Sequence, residues 1–145
     1  MKYSPVLLAI LLTTALQAGS LPLGYFQQEV KYDIDVKLDD KDHILRGHEK
    51  LLYMNNSPNS IDFIWMHLWP NAYKDNNTAF AKQMWENGRS KFYFSDEDDR
   101  GYIDSLNFTI KGVPLQVEAH PEWIDVVKLI LPAPLAPGKR ITIET

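Results

Sequence analysis

The sequence contains no cysteine. That excludes disulfide staples, which hold together many small exported domains. It also excludes a thiol nucleophile, a thiolate zinc site and a lipid-anchored cysteine. Glycine is scarce, at 7 residues, and none of it forms a phosphate-cradling loop, a dinucleotide fingerprint or a Gly-x-Ser-x-Gly nucleophile turn. Basic residues are outnumbered, 15 against 19 acidic, for a formal net charge of -4. The chain therefore carries no electrostatic footprint for nucleic acid. Long apolar runs are missing except at the start.

That one run reads as an export signal. Lys2 is a positive n-region, Val6–Leu12 begin an apolar stretch reaching Leu16, and Ala18 and Ser20 fit small-x-small cleavage. The run is shorter than the roughly 20 apolar residues of a spanning helix. The expectation is cleavage of residues 1–20 and a periplasmic or extracellular mature protein with no membrane span. Losing Lys2 shifts the net charge from -4 to -5. What remains is globular in balance: 45% of the chain is hydrophobic and 23% charged, against general disorder. Residues 21–145 suffice for one domain with a real core.

From Glu29 to Leu38 apolar and charged residues alternate. Val30, Tyr32, Ile34, Val36 and Leu38 share one face, which predicts a strand with one buried and one wet side. A second strand follows over about Ile44–Met54, with Gly47 marking a bulge or a close backbone approach. Asn55 to Ser60 form a turn cluster. Ile61 to Trp69 is apolar on both sides of the alternation, predicting burial on both faces, and Pro70 and Asn71 end it. Thr78 caps a short helix stopped by Gly88. Further strands are expected over Lys91–Ser95, Tyr102–Ile110, Pro114–Ala119, Asp125–Leu131 and Arg140–Glu144. Lys111-Gly112 is a hairpin turn, and Pro132–Gly138 a stiff connection. The pattern predicts an all-β fold: an antiparallel β-sandwich or saddle of seven to eight strands with a short helix-containing insertion over 72–101. Ile141–Thr145 stops in mid-strand, predicting a domain incomplete at its C-terminus.

No complete catalytic or metal site is legible. His48-Glu49 is the first half of HExxH, but Leu52 stands where the second histidine belongs, and a strand cannot supply the helical ligand pair. His67, between Trp65 and Trp69, reads as a hydrogen-bonded, partly buried histidine. His43 and His120 have no evident partner. The acidic runs Asp39-Asp40/Asp42 and Asp96–Asp99 lack calcium-loop spacing and read as solvated loops. Three Asn-x-Ser/Thr triplets, at Asn55, Asn76 and Asn107, match the glycosylation acceptor pattern. The aromatics, 12% of the chain, are the remaining signal. Trp65, Trp69 and Tyr73 form a possible contact patch for glycan or peptide; the plainer reading is that such rings cover a sheet edge or dock on another domain.

The chain resembles the N-terminal β domain of aminopeptidase-N-like zinc metallopeptidases, peptidase family M1, of the exported Bacteroidetes type. The resembling stretches are Tyr32–Asp39, Gly47–Lys50, Asn55–Pro58, Phe63–Tyr73, Asp99–Leu106 and Pro134–Gly138. The resemblance covers essentially all of residues 25–145 and is most specific through the tryptophan-rich strand. The resemblance implies a scaffold that packs on a thermolysin-like catalytic domain. Zinc would be held by HExxH and a distant glutamate in that second domain, and peptide would be the parent enzyme's substrate. No catalytic residue, metal ligand or cofactor is implied within this chain. The alternative is a free-standing exported module that binds glycan or peptide through the aromatic patch.

Overall fold

The computed structural model describes residues 24–145; the export signal expected over 1–20 lies outside them. Among the described residues, eight strands form two antiparallel sheets. In chain order they are β1 (Glu29–Asp39), β2 (Ile44–Met54), β3 (Ile61–His67), β4 (Thr109–Ile110), β5 (Val113–Pro114), β6 (Gln116–Ala119), β7 (Val126–Leu135) and β8 (Arg140–Glu144). The first sheet has the order β1-β2-β8-β4-β5 and the second β3-β7-β6. The described residues form an all-β sandwich with one α-helix among them, α1 (Ala79–Glu86), in the connection from β3 to β4.

The core follows from strand parity. Opposite residues of an antiparallel pair point to the same face. Leu51 faces Ile143 in the first sheet, and Ile64 faces Leu129 in the second. These four meet between the sheets with Leu68, Phe108, Leu131 and Leu135. Leu129 is wholly buried and Ile143 nearly so. Leu115 turns the corner between β5 in one sheet and β6 in the other, and its N–H donates to the Phe108 carbonyl at 2.8 Å.

Several predicted elements take a different form. β1 has no buried apolar face: Val30, Tyr32, Ile34, Val36 and Leu38 are all exposed. The cause is geometric. β1 is the edge of its sheet, and β8 pairs with β2 only over Lys50–Met54, so the far end of the β1–β2 hairpin is a two-stranded ribbon. Gly47 carries no bulge, since β1 and β2 pair without a register break. It is a close approach instead: a Cβ there would lie 3.2 Å from Val36 Cγ1. The register shift occurs in β3, between Ile61 and Phe63. Opposite it, β7 continues to Leu135 through Pro132 and Pro134, where a stiff connection was expected. Both prolines fall between the paired positions Ile130 and Leu135, so their missing donors cost no ladder bond.

Lys91–Ser95 is a turn, not a strand, because its rings fold back on α1: Phe92 meets Phe80, and Tyr93 and Phe94 meet Trp85. The strand expected over Tyr102–Ile110 shrinks to Thr109–Ile110. Ser105 adopts φ 55°, a left-handed conformation that breaks an extended run. The helix forms as expected, with the Thr78 hydroxyl accepting from Ala81 N at 3.1 Å and Gly88 at φ 71°. Lys111 and Gly112, at φ 52° and 76°, make the primed turn that suits a tight hairpin.

One buried polar side chain joins the sheets. Asn55 follows the end of β2 and is fully buried. Its Nδ2 donates to the carbonyls of Asn59 and Leu135, both at 2.8 Å. Its Oδ1 accepts from Ser57 N at 3.0 Å and from Gln28 Nε2 at 3.4 Å. The Ser57 hydroxyl lies 2.6 Å from Asn55 Oδ1 and 2.7 Å from the Asn59 carbonyl, with one proton to share between them. The Asn55 backbone pairs with Lys139 and Gly138.

Truncating Asn55 to alanine takes a partner from the buried Leu135 carbonyl and from the Ser57 N–H, each worth about 1–3 kcal/mol, while the Asn59 carbonyl keeps the Ser57 hydroxyl. The expected outcome in denaturant unfolding is a loss of about 3 kcal/mol or more, comparable to the ~2–5 kcal/mol of a core Leu129→Ala cavity.

Candidate functional site

The face of the second sheet that points away from the core carries the densest chemistry. Along β3, Ile64, Met66 and Leu68 turn inward while Phe63, Trp65 and His67 turn outward. The expectation that this strand is buried on both faces is therefore half met: Phe63 and Trp65 stand exposed, Trp65 at 48%. No layer among the described residues covers them.

Strand pairing brings a second set of groups beside them. Trp65 lies opposite Lys128 on β7, which lies opposite Glu118 on β6. Lys128 Nζ sits 4.6 Å from the Phe63 ring centroid and 3.5 Å from Glu118 Oε2, so it pairs at once with a π face and a carboxylate. The contact with Glu118 is solvent-exposed and worth little alone.

His120, for which the sequence offers no partner, is the centre of this face. Its Nδ1 accepts from the backbone N–H groups of Glu122 and Trp123, at 3.1 and 3.2 Å. Those bonds fix the ring and, in its neutral form, leave the proton on Nε2. Trp123 stacks on it at 4.3 Å with the planes 9° apart, and Trp65 meets it at 5.3 Å and 57°. The result is a histidine held between two tryptophans. The missed signal is the spacing His120-Pro121-Glu122-Trp123, in which an acceptor side chain closes a turn on N–H groups two and three residues ahead, as Asx turns do.

His67 is partly buried and hydrogen-bonded, as its setting between tryptophans predicts. Its Nε2 donates to Asp125 Oδ2 at 2.7 Å, and Leu68 N donates to the Asp125 carbonyl, also at 2.7 Å. The Trp69 ring lies 3.9 Å from the His67 ring. Together these contacts seal the junction between the end of β3 and the start of β7.

The predicted patch residues thus fall into three groups. Trp65 belongs to the His120 stack, Trp69 (67% exposed) to the His67–Asp125 pair, and Tyr73 (44% exposed) to Phe80 of α1 at 4.6 Å. Trp69 and Tyr73 bound a 3₁₀ turn, Trp69–Tyr73, that the sequence pattern did not announce. Each of the three rings is tilted against its own neighbour, by 57° for Trp65 on His120, 60° for Trp69 on His67 and 56° for Tyr73 on Phe80.

The remaining candidates resolve simply. His48 and Glu49 lie on β2, where His48 Nε2 is 3.6 Å from Glu144 Oε2 on β8. Asp39 Oδ1 accepts from the backbone N–H groups of Lys41 and Asp42, and Glu97–Asp99 form a 3₁₀ turn. Among the described residues, no group of three or more His, Asp or Glu side chains is placed to hold a metal ion. Of the acceptor triplets, Asn55 is fully buried and Asn76 donates to the Tyr93 carbonyl, while Asn107 is exposed. Tyr53, packed against the core, has its phenol pushed above the ordinary value of 10.0 by burial. No helix among the described residues is long and apolar enough to cross a membrane.

The chain matches no family model, no curated protein and no solved structure.

Replacing Asp125 by alanine removes the acceptor that fixes His67 and Trp69. The expected result is a stability loss of about 1–2 kcal/mol, measured by urea unfolding, with a change in the near-ultraviolet tryptophan signal.

Proposed function

We propose that residues 21–145 serve as the non-catalytic N-terminal β domain of an exported zinc aminopeptidase of family M1. The observation that carries this reading is the uncovered apolar face of the β1–β2 hairpin. Tyr32, Ile34, Val36 and Leu38 stand in one row, with Leu45 beside Leu38 across the hairpin; Leu38 and Leu45 are 63% and 68% exposed. A contiguous apolar row of this kind is a poor surface for a solitary domain and a good one for docking on a neighbour. On the tryptophan-rich resemblance, that neighbour would be the catalytic domain. In this reading the zinc, its ligands and its general base all lie on that domain, since metal-assisted hydrolysis needs three protein ligands, an open position and a base. The contribution of this chain is shape: a rigid shoulder beside the cavity.

A second reading is favoured by the clamped stack of Trp65, His120 and Trp123. Exposed rings of fixed orientation, flanked by Lys128 and Glu118, suit an exported module that binds glycan or peptide.

The two readings separate in one set of measurements on the whole polypeptide encoded by the reading frame that carries this chain. The scaffold reading expects a downstream HExxH and chelator-sensitive release of N-terminal residues from peptides. It also expects Ile34→Asp/Val36→Asp to lower the melting temperature of the whole protein, because the pair would bury charge against the catalytic domain. A reading frame without the motif and an inert whole protein overturn it. The module reading expects oligosaccharide or peptide titrations to shift tryptophan emission, with the shift lost in Trp123→Ala.

A further inference from the structure

β1 is an edge strand of unusual openness. It runs for 11 residues, pairs with β2 on one side without a register break, and has no partner on its other side among the described residues. Edge strands are ordinarily blunted by shortness, proline, a bulge or charge. β1 has no proline and no bulge, and only its charges remain as a guard. Those charges are Glu29, Lys31, Asp33, Asp35, Lys37 and the terminal Asp39, all on the face opposite the apolar row.

Their order decides what the edge accepts. Two copies of β1 pairing antiparallel about a two-fold axis must match even positions with even ones, to keep the apolar rows on one side. An axis through Ile34 sets Lys31 against Lys37 and Asp33 against Asp35, which are like charges throughout. An axis through Asp33 does the reverse. It sets Glu29 against Lys37 of the partner subunit and Lys31 against Asp35 of the partner subunit, each twice by symmetry. The only like pair is Asp33 with Asp33 of the partner subunit, on the axis. On the other face Val30 meets Val36 of the partner subunit, and Tyr32 meets Ile34 of the partner subunit, extending the apolar row across the junction. An axis through Asp35 also matches opposite charges, but it draws in Asp39 beside the Asp40–His43 turn and leaves Glu29 and Val30 unmatched.

We infer that β1 is a self-association edge whose occupant is β1 of a second copy of this chain, in antiparallel register about Asp33. The edge is distinct from the apolar face assigned above to the catalytic domain: one is a row of backbone donors and acceptors in the plane of the sheet, the other a row of side chains above it. The association does not depend on the aminopeptidase reading.

A charge exchange tests the register. The purified full chain should sediment as a dimer at about 100 µM. Lys31→Glu sets like charges against each other twice, and should weaken the dimer about tenfold or more. Asp35→Lys should weaken it similarly. Lys31→Glu/Asp35→Lys restores opposite charges with no change in net charge and should recover the wild-type dissociation constant to within about threefold. Asp33→Asn removes the one like pair and should tighten the dimer. All three positions are solvent-exposed, and unchanged melting curves separate lost association from lost folding. A monomeric wild type, a Lys31→Glu variant of undiminished association, or a double variant as weak as either single one overturns the inference. So does tightening by Asp35→Asn in place of Asp33→Asn.

Discussion

The fold depends on a side chain that contributes no hydrophobic area. Asn55 lies at the point where β2 leaves the first sheet, and its amide reaches the Leu135 carbonyl on β7 of the second. The same residue organises the turn to Asn59 and, through its backbone, the loop at Gly138 and Lys139 that launches β8. Three segments distant in sequence are thus fixed by one group whose polar atoms are all matched. A half-satisfied buried amide would cost more than it gives, whereas a fully satisfied one specifies a single arrangement. In a chain without disulfides, this network supplies a positional constraint that a cystine supplies elsewhere. It also places Asn55 beyond reach as a glycan acceptor in the folded protein.

With the sheets joined there, the position of β8 determines what is exposed. β8 covers β2 only from Lys50 to Met54, with Thr145 continuing the pairing to Glu49. Beyond that point β2 has a single neighbour, β1, and the hairpin leaves the sandwich. Its apolar row emerges from the core at Val30 and Tyr53 and passes into solvent by Leu38 and Leu45. Exposure over Ile34–Leu38 follows from two strands of 11 residues beside a strand of 5, while Val30 and Tyr32, opposite Tyr53 and Leu51, are exposed because β1 is the edge of the sheet. The aromatic face of β3 has a different cause: that sheet has only one neighbour to pack on, so half of its residues must face outward.

Much of the framework was legible in the sequence because period-two alternation and turn chemistry are local signals. β1, β2, the Lys111-Gly112 turn, the Thr78 cap and β8 all follow from residues within a few positions of one another. Less legible were the features decided by distant partners. The prolines at 132 and 134 look like a break until the slipped register of β3 shows that no ladder bond is asked of them. Lys91–Ser95 looks like a strand until α1 offers its rings a nearer surface. In the candidate site, Trp65, Trp69 and Tyr73 were visible as an aromatic run, yet their grouping was not. The grouping is set by β3–β7–β6 pairing, which brings Lys128, Glu118 and the His120 turn alongside residues more than fifty positions earlier.

The polar groups on that face are largely occupied in holding structure. His120 Nδ1 is spent on two backbone N–H groups, His67 Nε2 on Asp125, and Lys128 on a ring and a carboxylate. A general base needs a nitrogen or oxygen free to meet a substrate proton at about 3 Å. A positioning surface needs the opposite, side chains whose orientations are already fixed so that little freedom is lost on contact. His120 clamped between Trp65 and Trp123 fits the second description, as does Trp69 held on the His67–Asp125 pair. The same logic governs the hairpin, where an unbroken ladder presents its apolar row and its open edge in fixed geometry. Both surfaces thus present groups of fixed geometry, which is what a contact made at little cost in conformational freedom requires.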